Sequence, residues 1–257
     1  MSVTIHPNLT PTDPYRMVTT DTDGVLSFAR RENNWLYYLD LDGEPFYLVG
    51  NRCDTCNALF ERARNLKTPI APAMLSHQLQ QGLTLISDDL LATVAPLLPH
   101  GYYFVSLLDL EVELARKADK RWIRGVSCEA DYFWWHVLEL TEKSSQYELV
   151  LPAMPESDLS AERIADYRTQ LQQGEHPTAL ALTLSDYRTV MGQYPMAARA
   201  HFLLDGHHKV MAASQAGLPI RLLSFMYSWE NSYDIPAIKK YLARRAIRAE
   251  NTRPRGE

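Results

Sequence analysis

Cysteine is scarce in this chain. Three residues in 257 are an odd number and too few for a disulfide framework, so reduced thiols are expected. Long apolar runs are missing too: no stretch reaches the roughly 18 to 20 residues a membrane-spanning helix needs. The opening residues Met1 to Pro7 carry neither a charged leader nor an apolar segment, and a soluble, cytoplasmic protein with no membrane partner is expected. There is no basic excess. A formal net charge of -5 argues against a broad nucleic-acid surface, so nucleic acid is not an expected partner. Internal repeats, low-complexity tracts and a Walker-type glycine loop ending in Lys and Ser or Thr are all absent, which excludes repeat architectures and a P-loop nucleotide site. What is present is a 46% hydrophobic composition, enough for one large domain or two moderate ones with a real core.

The first half of the chain reads as mainly antiparallel β structure. Val25 to Arg30, Trp35 to Leu41 and Pro45 to Val49 are aromatic and β-branched, with Asp42-Gly43-Glu44 as a turn. Upstream, Asp21-Thr22-Asp23-Gly24 superficially matches the start of haloacid-dehalogenase phosphatases. The lead-in Arg16 to Thr20 is too polar for the buried strand those enzymes need, and Asp23-Gly24 reads as a hairpin turn.

Cys53 and Cys56 form a C-x-x-C pair at an expected strand-to-helix junction, with the helix running to Lys67. Such a pair can chelate Zn²⁺ when two further ligands are supplied, for which Cys128 and His136 are nearest in sequence. It can equally be a dithiol redox pair acidified by a helix N-terminus, or plain structural thiols. Helices are expected at 73 to 82 and 88 to 98, and a long strand over 102 to 113. The aromatic segment Tyr132-Phe133-Trp134-Trp135 with His136 is either a ligand wall or a core strand. Pro152 to Asp158 is the linker candidate, dividing the chain into domains 1–151 and 152–257.

The second half is organised around His201-Phe202-Leu203-Leu204-Asp205-Gly206-His207-His208-Lys209. An apolar strand, a turn and a helix ending at Gly217 place two imidazoles and an ammonium in a helical first turn, which is the outline of an anion site. In the alternative, Asp205 caps the helix and the histidines are ordinary surface residues. Around it, the helix at 164 to 173, the strands at 178 to 184 and 218 to 225, and a basic amphipathic helix at 236 to 250 complete an α/β core. The expected fold class is therefore α+β, with a β-rich N-terminal part and an α/β C-terminal part.

The order helix, strand, strand, Gly-His-His-Lys helix, strand over residues 160 to 227 resembles the ParB/sulfiredoxin-like superfamily. In its nucleotide-binding members the His and Arg of this turn contact phosphates, which implies that role for His208 and Lys209; Gly206 and His207 join them as candidate phosphate-binding residues of the same helical first turn. His207 stands where sulfiredoxin has its nucleophilic Cys, so that reaction is not implied. The Asp-Gly-His-His form is similar to the kinase-type relatives that phosphorylate a small molecule such as free serine. That resemblance implies ATP or ADP with Mg²⁺ as cofactor and a carboxylate as base; Asp205, at the turn itself, and Glu230, close to it along the chain, are the candidates by position. Too little chain follows Tyr227 for the helix-turn-helix of partition-type members. The alternative function is a non-catalytic regulatory or immunity-type protein that binds a partner protein.

Overall fold

The computed structural model describes residues 3–7, 14–31, 36–51, 56–67, 70–117, 123–190, 194–228 and 235–247. Its centre is a mixed nine-stranded sheet. In spatial order this contains β1 (Val3–His6), β2 (Arg16–Thr20), β7 (Gly101–Leu110), β14 (Ile220–Ser228), β12 (Thr178–Val190), β13 (Tyr194–Asp205), β11 (Ser145–Leu151), β10 (Tyr132–Leu140) and β8 (Glu113–Arg116). A second, five-stranded sheet contains β3 (Leu26–Arg31), β4 (Leu36–Leu41), β5 (Glu44–Asn51), β6 (Ala58–Arg62) and β9 (Val126–Cys128). Among the described residues, five α-helices complete the α+β fold: α1 (Ala73–Gln81), α2 (Asp88–Val94), α3 (Ala161–Gln172), α4 (His207–Ala216) and α5 (Ile235–Arg245).

Both faces of the large sheet are covered, and for that reason its central strands read as near-continuous apolar runs. Along β13, Ala198, Ala200, Phe202 and Leu204 join the core shared with the small sheet, α1 and α2. The alternate residue Leu203 joins the core shared with α3, α4 and α5. Phe202 ties the two sheets together, with its ring centroid 5.0 Å from Tyr47 and 6.2 Å from Phe60. Each such pair adds about 0.5–1.5 kcal/mol beyond the area it buries.

The turn at Asp42-Gly43 has positive φ at both residues, 52° and 77°, the conformation a two-residue hairpin demands. Asp23-Gly24 departs from the hairpin expected of it. β2 and β3 lie in different sheets, and the segment crosses between them, with Gly24 N donating to Leu98 O at 2.8 Å. A Cβ on Gly24 would stand 2.2 Å from Pro96 O, so glycine is needed for close approach. Residues 58 to 62 also depart from expectation. They form β6, a strand that pairs with β5 and β9; the β-sheet partners on both sides override the local helical pattern.

The division after residue 151 falls inside the large sheet. β11 ends there and pairs in parallel with β13, and β7 pairs with β14, so the two halves share one sheet. The expected linker is a buried strap instead. Pro152, Ala153 and Met154 are buried, and their carbonyls accept hydrogen bonds from Tyr47 Oη to Pro152 O at 3.0 Å and from Tyr132 Oη to Met154 O at 2.9 Å. Tyr132, Phe133 and Trp134 are core residues of β10, which decides the aromatic segment in favour of a core strand.

Candidate functional site

Strand β13 ends at Asp205 and α4 begins at His207, with Gly206 as the N-cap at φ 101°. A Cβ there would meet Ala179 Cβ at 2.6 Å and Ala179 Cα at 2.8 Å. Glycine alone satisfies both the left-handed conformation and this packing of the α4 N-terminus on β12. Asp205 does not cap the helix: no side chain does. Its Oδ2 instead accepts a hydrogen bond from Lys209 Nζ at 3.1 Å, and that ammonium also donates to Thr178 O at 2.8 Å. Lys209 is 2% exposed. Burial holds its ammonium below the ordinary lysine value, with Asp205 acting in the opposite sense. The ammonium is thus committed inside the protein.

The two imidazoles are committed as well, but as acceptors. His207 Nε2 takes hydrogen bonds from Ala153 N at 2.8 Å and Met154 N at 3.4 Å, and His208 Nε2 takes one from Ser160 N at 3.0 Å. Ser160 is itself the N-cap of α3, accepting from Arg163 N. Adjacent histidines at the start of one helix therefore hold both ends of the strap over residues 153 to 160. An imidazole nitrogen that accepts from an amide carries no proton, so each ring is the neutral tautomer with its proton on Nδ1. Burial enforces this, pushing His207 down to about 3 and His208 down to about 4. The imidazoles expected as donors to an anion therefore act through Nε2 as acceptors, a pair of neutral brackets on the strap.

A cavity of about 410 Å³ opens against this turn, lined by Asp205, Gly206, His207, His208 and Lys209 on one side. Its other walls are Arg163 and Tyr167 of α3 and Ser76, His77 and Gln80 of α1. A second hollow of about 420 Å³ shares Gln80, Arg163 and Tyr167 and continues along α3 past Asp166 and Gln170. The first-turn N–H groups of α4 lack a side-chain cap and sit at the positive end of the helix dipole. Arg163, exposed on α3, is the residue that sequence spacing did not point to; only the packing of α3 on α4 brings it here.

Of the remaining predicted site residues only Cys56 is described, and it does not line this cleft. Cys53 and Glu230 lie outside the described residues. Cys56 is disulfide-bonded rather than the reduced thiol expected, which removes the thiolate a zinc ligand requires. The chain after it is β6, so the helix N-terminus that was to acidify the pair is not there. Cys128 is a free thiol that burial pushes up to about 12, far from the ionised form. Among the described residues, no group of three or more His, Cys, Asp or Glu is placed to hold a metal ion. No helix among them is long and apolar enough to cross a membrane.

No family model, curated protein or solved structure matches the chain.

Proposed function

We propose that the cleft between α1, α3 and the N-terminus of α4 binds the phosphate groups of a nucleotide, ATP or ADP with Mg²⁺, and that the protein is a phosphotransferase acting on a small molecule. The observation that carries this reading is the uncapped first turn of α4 facing a cavity that Arg163 also lines. Backbone N–H groups, the helix dipole and a guanidinium are the groups from which phosphate sites are built. His208 keeps a part in it through Nδ1–H, the donor left over once Nε2 is committed to Ser160. Lys209 contributes its backbone N–H and holds Asp205 in place; its ammonium is spoken for.

The two hollows together leave room for phosphates at α4 and for the rest of a nucleotide along α3. Asp205 is the carboxylate at the turn. Its Oδ2 is held by Lys209, and Oδ1 carries no hydrogen bond among the described residues, so it is the atom that would take the acceptor hydroxyl's proton as that oxygen attacks the terminal phosphorus and ADP leaves from ATP, or AMP from ADP. Mg²⁺ commonly keeps several waters and binds through one or two carboxylates plus substrate phosphates. With Oδ2 held by Lys209 and Oδ1 reserved for the proton, Asp205 would not be one of its ligands; Mg²⁺ would be held by the substrate phosphates and supply charge neutralisation on them.

Isothermal titration of the full chain with ATP, ADP and AMP tests the binding. The expected result is saturable binding with amide chemical-shift changes at Gly206 to Lys209; an absence of both refutes it. Release of ADP in the presence of candidate hydroxyl acceptors separates the phosphotransferase from a binding-only protein.

A further inference from the structure

On the same face of the large sheet as α3 and α4, helix α5 leaves a cavity of about 410 Å³ whose lining shares no residue with the cleft above. The sequence dictates its character. Ala237, Lys240, Tyr241, Arg244 and Arg245 recur at helical spacing, which puts them on one stripe of α5. Opposite them stands Arg199 on β13, between Glu148 of β11 and Ser185 of β12. Arg199, Lys240, Arg244 and Arg245 all line the cavity, against a single carboxylate, Glu139. That carboxylate is engaged by Ser144 Oγ and Gln146 Nε2.

Arg199 is the unusual member. It is 8% exposed, forms no ion pair among the described residues, and its Nη1 is sealed from solvent with no hydrogen-bond partner among them. Its guanidinium lies over the Tyr241 ring at 4.1 Å. The carboxylate nearest in the sheet, Glu148, is fully buried and already taken: Tyr241 Oη and Arg245 Nη2 both donate to it. A sealed guanidinium nitrogen without a hydrogen bond is costly, and proteins rarely retain one without a counter-group. Burial accordingly holds its guanidinium below the ordinary arginine value, while Tyr241 and Glu148 act in the opposite sense.

We propose that this cavity is a binding site for a small phosphate monoester, with the phosphate on Arg199, Lys240 and Arg244 and the organic portion against Tyr187 and Leu138. A doubly charged oxyanion matches the surplus of cations better than a monocarboxylate does, and a guanidinium offers it paired, parallel hydrogen bonds. Tyr187 is 62% exposed and, with Leu138 and Ala237, supplies the apolar wall that a free inorganic ion would not use. The recess around Arg199 suits a small molecule rather than a polymer backbone, in keeping with the chain's negative balance.

Phenyl phosphate, titrated into the full chain by calorimetry and by NMR of the α5 amides and arginine Nε groups, is the probe. Saturable binding is expected, weakened at least tenfold by Arg199→Met, which keeps an unbranched apolar stem over Tyr241. Lys240→Gln and Arg244→Gln, both at exposed helix positions, are expected to weaken it severalfold each, and Arg163→Gln to leave it unchanged. Absence of binding to the wild-type chain, equal affinity in Arg199→Met, or tighter binding of a single-stranded oligonucleotide than of phenyl phosphate would each overturn the proposal. If Arg199→Met does not fold, unchanged affinity in both lysine and arginine variants of α5 does so. Loss of ATP binding in Arg163→Gln with phenyl phosphate retained separates this site from the α4 cleft.

Discussion

Acidification from pH 7 to pH 5 should destabilise this protein through three buried histidines. His207 and His208 accept hydrogen bonds from the backbone N–H groups of the strap. His201, fully buried in β13, shares a hydrogen bond of 2.8 Å between its Nδ1 and Thr183 Oγ1. Burial, in each case the largest cause, lowers His207 to about 3 and His201 and His208 to about 4. Arg163 lowers His208 further and Asp205 opposes it; Glu148 opposes the shift at His201. The unfolded chain, with imidazoles near 6.5, takes up protons first as the pH falls.

The stability these rings contribute is therefore complete above about pH 6.5 and is lost progressively as the pH falls toward the folded-state values. At pH 5, about 1.5 units below the unfolded value, His201 and His207 each cost about 2 kcal/mol at about 1.36 kcal/mol per unit, and His208, which lines the open cleft, costs less because solvent screens it. The two fully buried rings together cost about 4 kcal/mol, a large share of the roughly 5–15 kcal/mol that holds a domain folded. Urea denaturation followed by circular dichroism at pH 7 and pH 5 measures the loss. Carboxylates contribute to it in every version of the protein, so the decisive quantity is a difference. His207→Gln keeps an acceptor but cannot be protonated, and its loss between the two pH values should be smaller than the wild-type loss by about 2 kcal/mol. Equal losses within about 0.5 kcal/mol would show that His207 is not held neutral by the fold, and the bracket account of the turn would fail with it.

Three further outcomes are expected. Gly206→Ala combines left-handed strain of about 1–3 kcal/mol with overpacking against Ala179 of about 1–3 kcal/mol; Gly217→Ala, at φ 63° with nothing within 4 Å of the added carbon, should cost much less in the same melt. Lys209→Met leaves the 6%-exposed Asp205 without its cation and should cost about 3–5 kcal/mol, a loss that the double variant with Asp205→Asn recovers in part when the two are compared by denaturant midpoint. Arg163→Gln removes a charge-assisted hydrogen bond of about 1.5–3 kcal/mol, so ATP affinity measured calorimetrically should fall about 10- to 100-fold while the melting temperature stays put, because Arg163 is an exposed residue of α3.

The sequence by itself determined the local grammar of this protein. The Asp42-Gly43 turn, the apolar strands on either side of the Asp205-Gly206 break, and the helices opened by Ser87 and Ser160 follow from residue types whose preferences act over one or two turns of chain. Those preferences also placed glycine at the one position between β13 and α4 where no other residue fits. Only the tertiary structure decided what the polar residues are for. Pro152 to Asp158 has the composition of a linker, yet its first three residues become a buried strap, because Tyr47, Tyr132 and His207 arrive from distant parts of the chain to satisfy their backbone. Whether an imidazole is a cation that meets phosphate or a neutral acceptor is set by how much water and which amides surround it, and neither is written in the neighbouring letters. Arg163 and Arg199 are placed the same way: each looks like an ordinary arginine along the chain, and only long-range packing sets one on the rim of a cleft and buries the other over Tyr241 with its Nη1 unbonded.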